Sequence, residues 1–287
     1  MNSQSVSSTP SLWPSLARGA LLSPFKRPGA GAAAPRTRLV LPGVRVDLGR
    51  LAAYERVCGF GTGADELPVT YPHVLGFPAA MRLMSARAFP LPLLGLMHTS
   101  VAVTRHGPLT ATGTYELTVY VDDLVPHRRG TEAVVVTEVR AGGDLVWESR
   151  SRYLARHRTA PTVSGDPGSG GRTAAEVPGP LPVLAEWQLA GDAGRRYGAA
   201  SGDRNPIHLH PLTARPFGFP RAVAHGMWTV ARCLAEHGVP RAAAVRAEFR
   251  APVLLPGTVS YGARGGRFEM RGTDGRLHLA GEVLPLL

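Results

Sequence analysis

The feature that most constrains this chain is that it repeats itself. Tyr54, Cys58 and Gly59 recur at the same spacing as Tyr197, Ser201 and Gly202. Sixteen residues after Phe60 comes Gly76-Phe77-Pro78, and fifteen after Asp203 comes Gly218-Phe219-Pro220. In each half an apolar, helix-like run and then a set of strand-like runs follow. A 287-residue chain built this way is two copies of one fold of ordinary domain size, each with its own core. The copies differ in chemistry. Phe60 stands where Asp203 stands, and the Asn-Pro-x-His of residues 205–208 has no counterpart in the first half.

The elements follow from periodicity and turn residues. In the first half, residues 52–58 read as helix. Residues 72–85 read as a buried helix opened by Pro78, and 109–121, 131–139 and 145–154 as strands. The turns His127-Arg128-Arg129-Gly130 and Ala141-Gly142-Gly143-Asp144 separate those strands. In the second half, residues 183–189 alternate as a strand, and Asp192 is placed to cap a short helix running to about residue 200. Met227, Val230, Ala231 and Leu234 share one helical face that ends at Gly238. Strands are expected at 245–249, 257–263, 267–271 and 277–284, with Asp274-Gly275 as a hairpin turn. Long strands after one apolar helix predict an α+β fold, each half an antiparallel sheet wrapped on a helix. The expected organisation is a poorly ordered extension over 1–38 and a first domain over 39–156. A Pro/Gly-rich linker follows over 157–181, then a second domain over 182–287.

Charge and cysteine content narrow the partners. Of the 32 basic residues, six (Arg18, Lys26, Arg27, Arg36, Arg38, Arg45) fall in the first 46 residues with no acid among them. The other 26 are interspersed with 21 acids, the pattern of a solvated surface rather than a nucleic-acid footprint. The remaining excess suits a substrate that carries phosphates. The acid-free start has the composition of an organelle transit peptide, although Pro and Gly interrupt any amphipathic helix there, and it lacks a secretory apolar core. Cys58 and Cys233 alone make neither a disulfide framework nor a zinc site, which fits a reducing, cytoplasmic setting. No apolar run approaches the roughly 18 residues of a membrane span.

The chemistry is concentrated in Tyr197 to Met227. Ser201-Gly202-Asp203-Arg204-Asn205-Pro206-Ile207-His208 places a carboxylate, an amide and an imidazole on a segment that Gly202 and Pro206 keep out of regular helix. Asp203 and His208 can divide proton removal and proton delivery. Asn205 can orient one of them or hold a water. Gly226, at a helix start, can offer a backbone N–H to a developing enolate oxygen. Taken singly, each residue has a plain structural reading: Asp203 and Asn205 as caps, His208 and His225 as core histidines. His208 and His210, with Asp203 or His225, also invite a metal reading, but Pro211 follows at once and no metal is expected. Trp228 can face core or substrate, and Arg246 and Arg250 on an alternating strand can face solvent or a phosphate.

Residues 197–227 resemble the hydratase-2 motif of the MaoC-like dehydratases, and the two-copy layout over 39–287 resembles their double-hotdog members. The resemblance also takes in Leu67-Pro68-Val69-Thr70-Tyr71-Pro72 and Phe249-Arg250-Ala251-Pro252-Val253. It implies reversible dehydration of (R)-3-hydroxyacyl groups carried on coenzyme A or acyl carrier protein, with no cofactor. It implies Asp203 and His208 as the catalytic dyad, Asn205 as its support and the Gly226 amide as oxyanion donor. Tyr197, Ser201, His225, Trp228, Arg246 and Arg250 are the candidate substrate-binding residues. His210 departs from the family, which has an acid there. Two other readings stay open: a hotdog thioesterase in which Asp203 activates water, and a non-catalytic acyl-binding regulator. Two hotdogs in one chain supply the pairing single-hotdog proteins gain by dimerising, so a monomer or a homodimer is expected.

Overall fold

The computed structural model describes residues 2–5, 19, 22–23, 26, 33–158 and 179–286. Its first half comprises β1 (Asn2–Ser5), β2 (Thr37–Arg45), helix α1 (Leu48–Cys58), helix α2 (Tyr71–Ser85), β3 (Met97–Arg105), β4 (Thr114–His127), β5 (Gly130–Ala141) and β6 (Asp144–Arg156). The second half repeats this order with β7 (Val183–Leu189), α3 (Ala193–Ser201), β8 (Ala222–Val223), α4 (Gly226–His237), β9 (Ala243–Phe249), β10 (Leu254–Leu255), β11 (Gly257–Arg264), β12 (Arg267–Gly272) and β13 (Leu277–Pro285). Eleven strands make one sheet in the order β1-β2-β4-β5-β6-β3-β9-β13-β12-β11-β7, and β8 pairs with β10. The order reads the same outward from its centre: β3 and β9 correspond, then β6 and β13, β5 and β12, β4 and β11, β2 and β7.

The seam between the copies is the antiparallel β3–β9 pair, from Ser100 opposite Glu248 to Arg105 opposite Ala243. Each half folds its sheet over one long helix: α2 lies on β4 and β5, and α4 contacts β12. Both helices are apolar over most of their surface, burying Val74, Met81, Leu83 and Met84 in α2 and Met227, Val230, Ala231 and Leu234 in α4. Most of the buried side chains form one core that runs through both halves. Two side chains cross the seam to complete the shorter helices. Trp228 Nε1 donates to the Val57 carbonyl at 2.8 Å, and Arg50 Nε donates to the Ala200 carbonyl at 2.7 Å. Each thereby satisfies a last-turn carbonyl that α1 or α3 cannot pair internally. No helix of the described residues is long and apolar enough to cross a membrane.

Several expectations are corrected. α2 opens at Tyr71 with Pro72 in its first turn, and Pro78 lies inside it. Gly76-Phe77-Pro78 is therefore mid-helix, whereas Gly218-Phe219-Pro220 precedes α4. That part of the repeat is a coincidence of sequence rather than of position. The Tyr-x-x-x-Cys/Ser-Gly part does correspond: Gly59 and Gly202 both follow their helices as left-handed caps, with φ of 83° and 84°. Asp192 precedes α3 without capping it by a side-chain bond; its carboxylate pairs with Arg196 at 3.4 Å. The strand β3 has no sequence counterpart in the reading above. Met97-His98-Thr99-Ser100 is too polar to read as strand, and pairing on both flanks, with β6 and β9, determines its conformation. The first sheet begins at Thr37 rather than 39, and Asn2–Ser5, expected in a poorly ordered extension, pairs parallel to β2. Most of that extension and residues 159–178 of the expected linker lie outside the described residues.

Candidate active site

The segment after α3 holds the chemistry. Gly202 ends the helix in the left-handed region, which turns the chain at Asp203 at little steric cost. Three contacts then fix the place of Asp203, one at its carboxylate and two at its main chain. The Asp203 amide donates to Ser201 Oγ at 3.2 Å, the Asn205 amide donates to Asp203 Oδ1 at 3.1 Å, and His225 Nε2 donates to the Asp203 carbonyl at 2.8 Å. Asn205 Oδ1 accepts from the Ile207 amide at 3.4 Å and so opens the 3-10 turn Pro206–His208 that delivers the imidazole. His208 is buried and donates Nδ1–H to the Val223 carbonyl at 2.7 Å. That bond selects the tautomer and leaves Nε2 as the lone-pair nitrogen.

One ligand atom from each of Asp203, His208 and His225 lies within 4.8 Å of the others. The imidazoles of His208 and His225 stack, centroids 3.7 Å apart and planes 26° from parallel. Ring lone pairs lie in the ring plane, so stacked rings send theirs side by side rather than onto a common ion, and the trio is better built for proton transfer. His210 is not part of it. It is exposed, and its Nδ1 accepts from the Leu212 amide at 3.2 Å, capping the one-turn helix Pro211–Ala214. An acid in that position would cap equally well, so the departure from the family pattern exchanges one cap for another.

Burial dominates the electrostatics. It raises the Asp203 carboxyl, opposed by His208 and by the Asn205 amide. It lowers His208, opposed by Asp203 and the Val223 carbonyl. His225 is lowered further, because the neighbouring His208 adds to burial. Both imidazoles are thereby held neutral. Tyr197, buried against His225 with centroids 4.7 Å apart, is raised well above its ordinary range and keeps its proton; its hydroxyl bonds to Ser201.

These groups line a cavity of about 1200 Å³ that runs between the two halves. Gly226 lies on its wall as the first residue of α4, where the His225 side chain makes no cap and the first amides have no intrahelical partner. A Cβ at Gly226 would stand 3.0 Å from Cε1 of the Phe249 ring, so glycine is what leaves the amide open to a carbonyl. Of the other residues expected at the site, Tyr197, Ser201, Asn205, His225 and Arg250 line the cavity. Trp228 and Arg246 are outside its lining: Trp228 is turned to α1, and Arg246 faces solvent and pairs with Glu282 at 3.3 Å. The first half, inert by sequence, supplies much of the wall, including His73, Phe77, His98 and Tyr153. No local motif announces them, since only the β3–β9 seam brings that wall across from the dyad.

Comparison with known proteins agrees with this architecture. Residues 178–275 match the family described as MaoC like domain. The chain is 36% identical over 234 residues to 3-hydroxyacyl-thioester dehydratase X of Mycobacterium tuberculosis, an alignment covering 80% of this chain and 81% of that protein. The chain belongs to the MaoC-like dehydratase family. The crystal structure of that same mycobacterial protein, HtdX, superimposes with a TM-score of 0.75 at 31% identity, over 87% of this chain and 100% of that one. A second M. tuberculosis protein, described as having a double hotdog fold, matches with a TM-score of 0.53 at 15% identity over 84% of this chain and 92% of its own. The duplicated α+β fold read from the repeat, and the double hotdog that the family resemblance implied, are the fold of this MaoC-like chain.

Proposed function

We propose that this protein catalyses the reversible dehydration of (R)-3-hydroxyacyl thioesters to trans-2-enoyl thioesters. The observation that carries the reading is the pairing of Asp203 with a neutral His208, whose Nε2 is left free by the bond to Val223, in a large cavity beside the open N-terminus of α4. The relative named for this activity supports it. In the dehydration direction a base of the dyad takes the α proton while the thioester oxygen gathers charge against the Gly226 amide, where the helix dipole favours it. The other dyad member enters the step protonated and gives that proton to the departing β-hydroxyl, which leaves as water, while the α proton now held by the base restores the pair. Hydration runs the same steps backwards, with water deprotonated over the β carbon. Asn205 supports the dyad through its backbone amide, Ser201 and His225 position Asp203, and Tyr197 backs His225. The proton count closes within the dyad and substrate, so no cofactor is required.

The cavity lining includes Arg129, Arg156, Arg250 and Arg276, suited to the phosphates of coenzyme A or of the phosphopantetheine arm on acyl carrier protein. The seam gives one chain the hotdog pair, so a monomer or a homodimer suffices. The two unpaired, buried cysteines accord with a cytoplasmic setting. Incubation with a ladder of enoyl-CoAs tests the reaction: enoyl absorbance is expected to fall with no release of free thiol, and thiol release would assign a thioesterase instead. Asp203→Asn and His208→Ala are each expected to cut turnover by about 10²-fold or more, whereas an acyl-binding regulator would keep its function in both variants.

A further inference from the structure

Three described residues of the N-terminal region reach the cavity wall from behind. Helix α2 and strand β3 are joined by residues 86–96, which form neither helix nor strand. Among the described residues the backbone bonds of this stretch are short turns: the amides of Ala86, Phe89 and Leu96 donate to carbonyls three residues back. Phe89 and Leu91 bury its first part. Its last part, Leu94, Gly95 and Leu96, lines the cavity and runs on into Met97 and His98 of β3, which line it too. Leu94 and Met97 are 40% and 39% exposed there, large apolar side chains that the protein leaves uncovered on a ligand wall.

What holds that stretch comes from far away in sequence. Ser23, itself 6% exposed, accepts at Oγ from the Leu94 amide at 3.0 Å and donates to the Gly19 carbonyl at 2.6 Å. One buried hydroxyl thus uses both its donor and an acceptor site. Lys26 Nζ donates to the Ala86 carbonyl at 2.9 Å and to the Met84 carbonyl at 3.5 Å. These carbonyls stand at the end of α2, where the helix has no partner for them and its dipole favours a cation. The same ammonium lies 5.4 Å from the centroid of the Phe89 ring. Gly19 passes so close that a Cβ there would stand 3.2 Å from Ser85 Cβ and within reach of Leu93. The stretch is therefore held at both ends, by Lys26 at Ala86 and by Ser23 at Leu94. Past it, His98 packs on the Phe249 ring with centroids 4.7 Å apart, and that ring covers Gly226. Leu94, Leu96 and Met97, with Val74 and Phe77, make an apolar part of the lining distinct from its arginines, and an apolar wall fits an acyl chain rather than a phosphate-bearing carrier.

We propose that Ser23 and Lys26 are positioning residues for the acyl chain: they hold Leu94–Met97 as the apolar wall against which the chain lies beyond its reacting carbons. The proposal rests on the acyl-thioester reading of the cavity, and two measurements keep its failure apart from the failure of the dehydratase reading. In the first, hydration kinetics of Ser23→Ala and Lys26→Met are compared on crotonyl-CoA and on a long-chain enoyl-CoA. KM for the long chain is expected to rise by about fivefold or more. The kcat values and the crotonyl-CoA KM should stay unchanged, and Lys26→Arg, which keeps the charge and the donors, should regain part of the long-chain affinity. A joint rise of both KM values, a fall in kcat on both substrates, or no change in variants that thermal unfolding shows folded overturns the proposal. Ser23→Ala, the smaller change, decides alone if Lys26→Met does not fold. In the second, saturated acyl-CoAs of the same two lengths are titrated into the same variants. Selective weakening of the long chain supports the wall even in a protein that hydrates no enoyl-CoA, whereas equal binding in every variant sinks it.

Discussion

Burial moves the two members of the Asp203–His208 pair in opposite directions, and the consequence is visible in pH. The carboxyl is raised and the imidazole lowered, so the neutral imidazole persists below the ordinary histidine range of about 6.5. Because the active form in the proposed mechanism carries neutral His208, the acid limb of kcat/KM for enoyl-CoA hydration is expected below pH ~6.5. A rate profile with that limb at or above the free-imidazole value would contradict the assignment of Nε2 as the working nitrogen. His225 touches Asp203 twice: its Nε2 bonds the main chain of Asp203 at 2.8 Å and lies 4.0 Å from the carboxylate, which in the proposed reaction suits it to position the acid.

At the scale of elements, the first and third residues of α4 answer different questions. Gly226 is the oxyanion donor of the proposed reaction. In Gly226→Ala the new Cβ meets the Phe249 ring at 3.0 Å, and the ring has to shift along the cavity wall that it forms with His98. Hydration kcat/KM is expected to fall by about tenfold or more with little change in the thermal midpoint. Trp228 is at a structural joint. In Trp228→Phe the Val57 carbonyl at the end of α1 loses its partner, which should cost about 1–3 kcal/mol in urea unfolding while leaving kcat/KM unchanged. If the first variant proved merely unstable, or the second catalytically impaired, the roles drawn here for the two residues would be reversed.

The whole molecule carries a load of neutral histidines. His73, His98, His208 and His225 are all lowered by burial, while in the unfolded chain each titrates near 6.5. Between those values the unfolded state binds more protons than the native one, so stability is full above about pH 6.5 and declines as pH falls toward 4. Thermal midpoints measured over that range should decline with acid, and His73→Phe, which removes one such group, should flatten the slope. An unchanged slope would mean that His73 is protonated in the folded protein.

What was legible beforehand has a physical pattern. The duplication, the second-half strands, α4 with its glycine start and the polar string from Ser201 to His208 are all encoded in residues close together in sequence. Local periodicity, turn chemistry and composition report such features directly. The loss of Asp and His from the first copy was equally plain, because Phe60 can be compared with Asp203 one residue at a time. The strand β3, the crossing bonds of Trp228 and Arg50, and the wall of His73, His98 and Tyr153 opposite the dyad could be settled only by the tertiary structure. Each depends on which segments pair across the seam, and the partners of a side chain there lie more than a hundred residues away in several cases. The sequence by itself determined that one half would hold Asp203 and His208 and that the other would not. That the other half closes the cavity opposite them was decided by the β3–β9 pairing, because a cavity between two halves exists only once they have met.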